Sequence, residues 1–131
     1  MSKSNALFVE RVPLAAFLRL IGSSYARAII ITVMRGILNA LAENKMSLVE
    51  AENLLFNPDI LSLAQEYALE IEIIEAIEYG MELSDIEELL NDPQVLNNAI
   101  AECAALLENL RITTMDTPYL PTSSLLTIRD R

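Results

Sequence analysis

Residues 46–64 and 81–99 align at an offset of 35, with eight identities in 19 positions, and this internal repeat restricts the fold more than any other feature of the chain. The identical pairs are Met46/Met81, Leu48/Leu83, Glu52/Glu87, Leu54/Leu89, Leu55/Leu90, Pro58/Pro93, Leu61/Leu96 and Ala64/Ala99. Each copy reads as a short helix ending at a Leu-Leu pair, an Asn or Asp cap, and a proline in the first turn of the next helix. Two helix-turn-helix hairpins are therefore expected, with Leu54-Leu55 and Leu89-Leu90 in equivalent buried positions. Both copies carry a serine three residues before a glutamate, Ser47 to Glu50 and Ser84 to Glu87, the spacing of a capping box. The two boxes are out of phase by two residues. Two copies are too few for a solenoid, and the tetratricopeptide aromatic pattern is missing.

Helical periods account for most of the remaining chain. Residues 5–21 predict one helix or two short pieces, with Pro13 in a first turn and Leu14, Phe17, Leu18 and Ile21 on one face. Gly22, Ser23 and Ser24 break the pattern, and a very apolar helix follows from Tyr25 to Glu43, with Asn44 as its stop. Ala28, Thr32, Gly36 and Ala40 recur on it at steps of four, a ridge of small side chains that lets another backbone approach. The approaching element is another helix of this chain or the same helix of a second subunit. From Leu69 to Met81 the apolar Leu69, Ile73, Ile74, Ile77 and Met81 oppose Glu72, Glu75, Glu78 and Glu82, and Gly80 reads as the end of that helix. A last helix is expected from Pro93 to Leu110. Residues 112–131 lack a helical period and read as a C-terminal tail or arm beyond one domain, residues 1–111. The fold class is all-α, a compact bundle of five to seven helices around the central apolar helix at 25–43, with the two hairpins packed against it.

The segments Ser47-Leu-Val-Glu50-Ala-Glu-Asn-Leu-Leu-Phe56-Asn-Pro58 and Glu82-Leu-Ser-Asp-Ile-Glu87-Glu-Leu-Leu90 resemble parts of small bacterial proteins grouped as domains of unknown function. The resemblance covers residues 47–90 and implies a bacterial origin. It carries over no functional residue.

At 131 residues and 53% apolar, the chain is one domain and no candidate for disorder. Arg19, Arg27 and Arg35 interrupt the most apolar region and leave no uncharged run near the ~18 residues of a membrane span. Glu10 and Arg11 argue against a signal peptide. A single cysteine, Cys103, permits no internal disulfide, which favours a reducing, cytoplasmic setting.

Charge is segregated along the chain. Residues 1–45 carry six Lys/Arg against two acids, whereas residues 46–110 carry fifteen acids and no base, within an overall charge of −10. Such a stretch repels phosphate and favours cationic surfaces. Arg11, Arg19, Arg27 and Arg35, eight residues apart, would spiral around a helix rather than form the basic stripe that nucleic acid requires, and they are expected to pair with the acidic half of the molecule.

The chemistry-bearing side chains are few. With no histidine in the chain, the Ser-His-Asp and Cys-His arrangements are excluded. Gly22, Gly36 and Gly80 are isolated, so no phosphate-cradling loop forms. Cys103 among alanines and leucines reads as a buried, inert thiol. Glutamates on neighbouring turns would need histidines to make a di-iron bundle site, and the calcium-loop spacing is absent, so no metal or cofactor is expected. The expectation is a non-enzymatic, acidic protein-binding domain, of the immunity or antitoxin type, whose Glu72, Glu75, Glu78 and Glu82 meet a cationic protein partner. Homodimerisation through Ala28, Thr32, Gly36 and Ala40 or through the tail is also expected, without nucleic acid or membrane. The alternative is a structural homo-oligomer without small-molecule chemistry.

Overall fold

The structure is a computed structural model that describes residues 13–112. Within them the chain is all-α, with no strand. The helices are α1 (Leu14–Ile21), α2 (Ser23–Ala42), α3 (Leu48–Leu54), α4 (Pro58–Glu66), α5 (Ile71–Leu90) and α6 (Pro93–Leu106). The expected helical residues before Pro13, and the tail from residue 113, lie outside the described residues.

Local chemistry sets most of the boundaries. Pro13 precedes α1 in an extended conformation, and α1 ends at Gly22, whose φ of 90° suits a residue without a Cβ. The next helix starts at once, so only Gly22 breaks the pattern, and Ser23 and Ser24 lie inside α2. Asn44, at φ 59°, closes α2: its N–H donates to Leu41 O, and that of Lys45 reaches back to Ala40 O, a Schellman pattern. Ala68 does the same after α4 at φ 52°, with Ala68 N–H to Gln65 O and Leu69 N–H to Ala64 O.

The repeat is preserved at its turns and altered around them. Asn57 accepts from Ile60 N–H ahead of Pro58, and Asp92 accepts from Gln94 N–H ahead of Pro93, so each proline opens its helix as expected. Leu48 and Leu83 are both buried, as are Ala64 and Ala99. The Leu-Leu pairs, however, are not equivalent. Leu55 is fully buried and Leu54 40% exposed, whereas Leu89 and Leu90 are 79% and 56% exposed. The capping box also forms only once. Ser47 and Glu50 exchange both bonds, but Ser84 lies in the interior of α5 and its hydroxyl donates to Glu52. The second hairpin thus begins inside a long helix, because α5 does not end at Gly80 but runs ten residues further.

Packing builds one core. Here α1 lies on α2, α6 on α2 and α5, α3 and α4 on α5, and α4 also on α1. The first hairpin therefore packs on α5 rather than on the apolar helix, which corrects the expectation that both hairpins cover α2. Leu18, Ile30, Ile31, Met34, Phe56, Ile73, Ile77 and Leu83 are among the fully buried side chains. Each such residue contributes about 1.5–3 kcal/mol of burial. On α1 the buried face is Ala15 and Leu18; Phe17, expected on it, is 46% exposed. The last helix stops at Leu106, and the turn after it brings the Leu107 and Leu110 carbonyls to Arg35 of α2, 2.7 and 2.5 Å away.

Candidate functional site: the acidic face of α5

The row expected to meet a partner is displayed as the periodicity requires. In α5, Ile73, Ala76, Ile77, Gly80 and Leu83 are buried, and Glu72, Glu75, Glu78 and Glu82 are exposed on the other side. Acids on successive turns repel, and α5 has no base in its last turn to offset the helix dipole there. The row continues past Glu82 to Asp85, and Leu89 projects from the same stripe one turn later.

The bases are used elsewhere. Arg19 pairs with Glu66 at 3.2 Å, and Arg27 with Glu70 at 2.6 Å, Arg27 Nε also donating to both Glu70 oxygens. The hydrogen bonds from Arg27 hold the Glu70 carboxyl below the usual carboxylate range, and Glu70 in turn raises the Arg27 guanidinium. Arg27 also donates to the Ile112 carbonyl at 2.8 Å. Lys45 pairs with Glu43 at 3.3 Å. Two of the evenly spaced arginines thus meet the acidic half, as expected, while Arg35 goes to backbone carbonyls. Among the described residues, no ion pair reaches Glu72, Glu75, Glu78 or Glu82.

Beside the row, Tyr79 donates its hydroxyl to Glu102 of α6, and that bond raises the phenol to about 12. It remains a proton donor throughout the physiological range. Cys103 is buried with its Sγ–H directed at Ala76 O, 3.3 Å away, and desolvation raises the thiol to about 12. A thiol so protonated is a poor nucleophile. Among the described residues, no three His, Cys, Asp or Glu side chains gather as a metal would require. The arrangement offers a convex acidic strip suited to long-range attraction of cations.

The second predicted group, the ridge on α2, faces outward. Thr32 and Gly36 are exposed, Ala28 and Ala40 partly so, and Thr32 Oγ1 bonds its own helix at Ala28 O, 2.8 Å away. A Cβ placed on Gly36 meets nothing within 4 Å. The middle of the ridge, Thr32 and Gly36, is thus open to solvent, while its two ends are partly covered. The same helix, 20 residues long with a mean hydropathy of 1.3 over its most apolar window, is by length and composition alone long and apolar enough to cross a membrane, its two arginines included. Both of those arginines are bonded within the bundle.

The role of Gly80 escaped sequence reasoning. Its place inside α5 is explained by Phe56, whose ring occupies the space a Cβ would need. An isolated glycine in the middle of a helical pattern was the available signal.

No curated protein and no solved structure matches the chain. A family model described as "Protein of unknown function (DUF3969)" matches residues 23–120, which takes in α2 to α6. That span exceeds half of the chain and agrees with the resemblance seen at residues 47–90, and the chain belongs to this family.

Proposed function

We propose that this chain is a non-catalytic acidic domain that binds a cationic protein partner through α5, a neutralising or regulatory protein of the immunity or antitoxin type. The observation that carries the reading is the exposed row Glu72, Glu75, Glu78 and Glu82, which costs helix stability and has no cation beside it among the described residues. The use of Arg19, Arg27 and Arg35 inside the bundle supports it, since their charge is spent away from the row. The reading includes a cytoplasmic setting and no cofactor, nucleic acid or membrane.

The test is charge reversal in the full chain. Glu75→Lys with Glu78→Lys should leave the isolated domain no less stable while abolishing capture of the cationic partner in co-purification from the native host. Capture by the native chain should weaken steeply as salt is raised. Capture that survives the double substitution would remove α5 from the interface.

A second reading, a structural homo-oligomer without small-molecule chemistry, is favoured by the solvent-facing ridge at Ala28, Thr32, Gly36 and Ala40. Mass by light scattering separates the routes. A dimer formed both by the full chain and by a chain ending at Arg111 would assign the contact to the helices rather than the tail. A monomer in both at tens of micromolar would exclude it.

A further inference from the structure

An apolar concavity lies away from the acidic strip, between α1 and α3. It is an open groove of about 630 Å³ lined by Pro13, Leu14, Phe17, Leu20, Asn53 and Leu54. Three of its large apolar side chains are well exposed, Phe17 at 46%, Leu20 at 84% and Leu54 at 40%. Single exposed leucines are ordinary, but several around one concavity mark a surface that something covers.

We propose that the groove is the docking site of the chain's own N-terminal segment, residues 1–12. The segment joins the described structure at Pro13, which itself lines the groove. Pro13 is extended, with ψ 144°, and stands outside α1, and a proline disfavours helical backbone in the residue before it. No reach is needed, because the segment starts at the rim. Its composition fits: Leu7, Phe8, Val9 and Val12 supply apolar groups to lay on Phe17, Leu20 and Leu54.

Charge points the same way. The segment carries Lys3 and Arg11 against Glu10, and a cleft beside the groove, also lined by Pro13, Leu14 and Leu54, presents Asp59. Arg11, two residues before Pro13 in sequence, supplies a cation that would complement Asp59 in this docking. A second copy of the chain is the poorer occupant. It brings a net charge of −10 against −10, and a short tether holds the segment at an effective concentration in the millimolar range.

The test uses the full chain with a reporter thiol, Asn53→Cys, on the groove wall; Cys103 is buried and contributes no background. Maleimide labelling of the reporter should be at least about tenfold slower than in the same chain carrying Leu7→Ser and Phe8→Ser, because the thiol reacts only when the segment lifts. The difference should not vary with protein concentration. The same comparison with Leu20→Cys places a second reporter on the opposite wall, and both variants should keep the native helix content. Equal rates with and without the serine substitutions would overturn the proposal. Protection that disappears on dilution would overturn it in favour of a second copy.

Discussion

The ring of Phe56 lies against the backbone of α5 at Gly80, so closely that a Cβ on the glycine would overlap the ring carbons. Phe56 is buried at the junction between α3 and α4, so this one contact seats the first hairpin on α5. Glycine in mid-helix costs about 1 kcal/mol relative to alanine. Here the cost is offset by burial of an aromatic ring.

Gly80→Ala should therefore destabilise the domain although alanine is the better helix former. Overpacking typically costs ~1–3 kcal/mol against the ~1 kcal/mol gained in propensity, a net loss of up to ~2 kcal/mol in chemical denaturation. Phe56→Leu should make Gly80→Ala less costly, since the smaller side chain leaves room. Additive losses in the double-mutant cycle would show that the two residues are not coupled.

Gly36, the other mid-helix glycine, should respond with the opposite sign. Its Cβ direction is open, so Gly36→Ala should gain about 0.5–1 kcal/mol in unfolding free energy. The gain should be independent of protein concentration. A loss that grows as the protein is concentrated would mean that a second copy occupies the ridge and that the homo-oligomer reading is the better one.

These two glycines also show which parts of the fold could be read from sequence. The turns at Asn57-Pro58 and Asp92-Pro93 were legible because capping is local chemistry, complete within four residues. The acidic side of α5 was legible because amphipathic period is a property of the helix alone. Gly80 looks like a terminator in the sequence because its reason is tertiary, a ring arriving from 24 residues earlier in the chain. The Leu-Leu pairs looked equivalent for a related cause. Leu55 is followed by Phe56 entering the core, whereas Leu90 is followed by Asn91, whose φ of 47° turns the chain at the surface. The pairing of arginines with the acidic half followed from charge, but the choice of Glu66 and Glu70 depends on how α1, α2 and α4 meet.

Glu70 should give the domain an acid-sensitive component. Its folded carboxyl ionises below the usual range because Arg27 donates to both oxygens, so between the folded and unfolded values the unfolded chain binds more protons. The stabilisation is present above the ordinary carboxylate value, ~4.3, and is lost as pH falls through the lower folded value. Glu70→Gln should flatten the acid limb of the stability curve and cost about 1 kcal/mol at neutral pH, the modest figure reflecting partial exposure. An acid limb identical to that of the native chain would assign the acid sensitivity to other carboxylates.

Ala68 should be the site of easiest stabilisation. It holds φ 52° in the Schellman turn that ends α4, a conformation in which the Cβ crowds the following carbonyl. The side chain is exposed, so nothing is gained there by packing. Asn44 and Asn91, in comparable left-handed positions, carry the side chain that tolerates them best after glycine. Ala68→Gly should relieve ~1–2 kcal/mol of backbone strain, partly offset by the greater freedom glycine gives the unfolded chain. A net gain of about 0.5–1 kcal/mol is expected, with partner capture by α5 unchanged. Thermal unfolding of the two proteins at one concentration decides the matter. A lower midpoint for the glycine variant would mean that the turn is held by the flanking helices, with no strain at Ala68 to release.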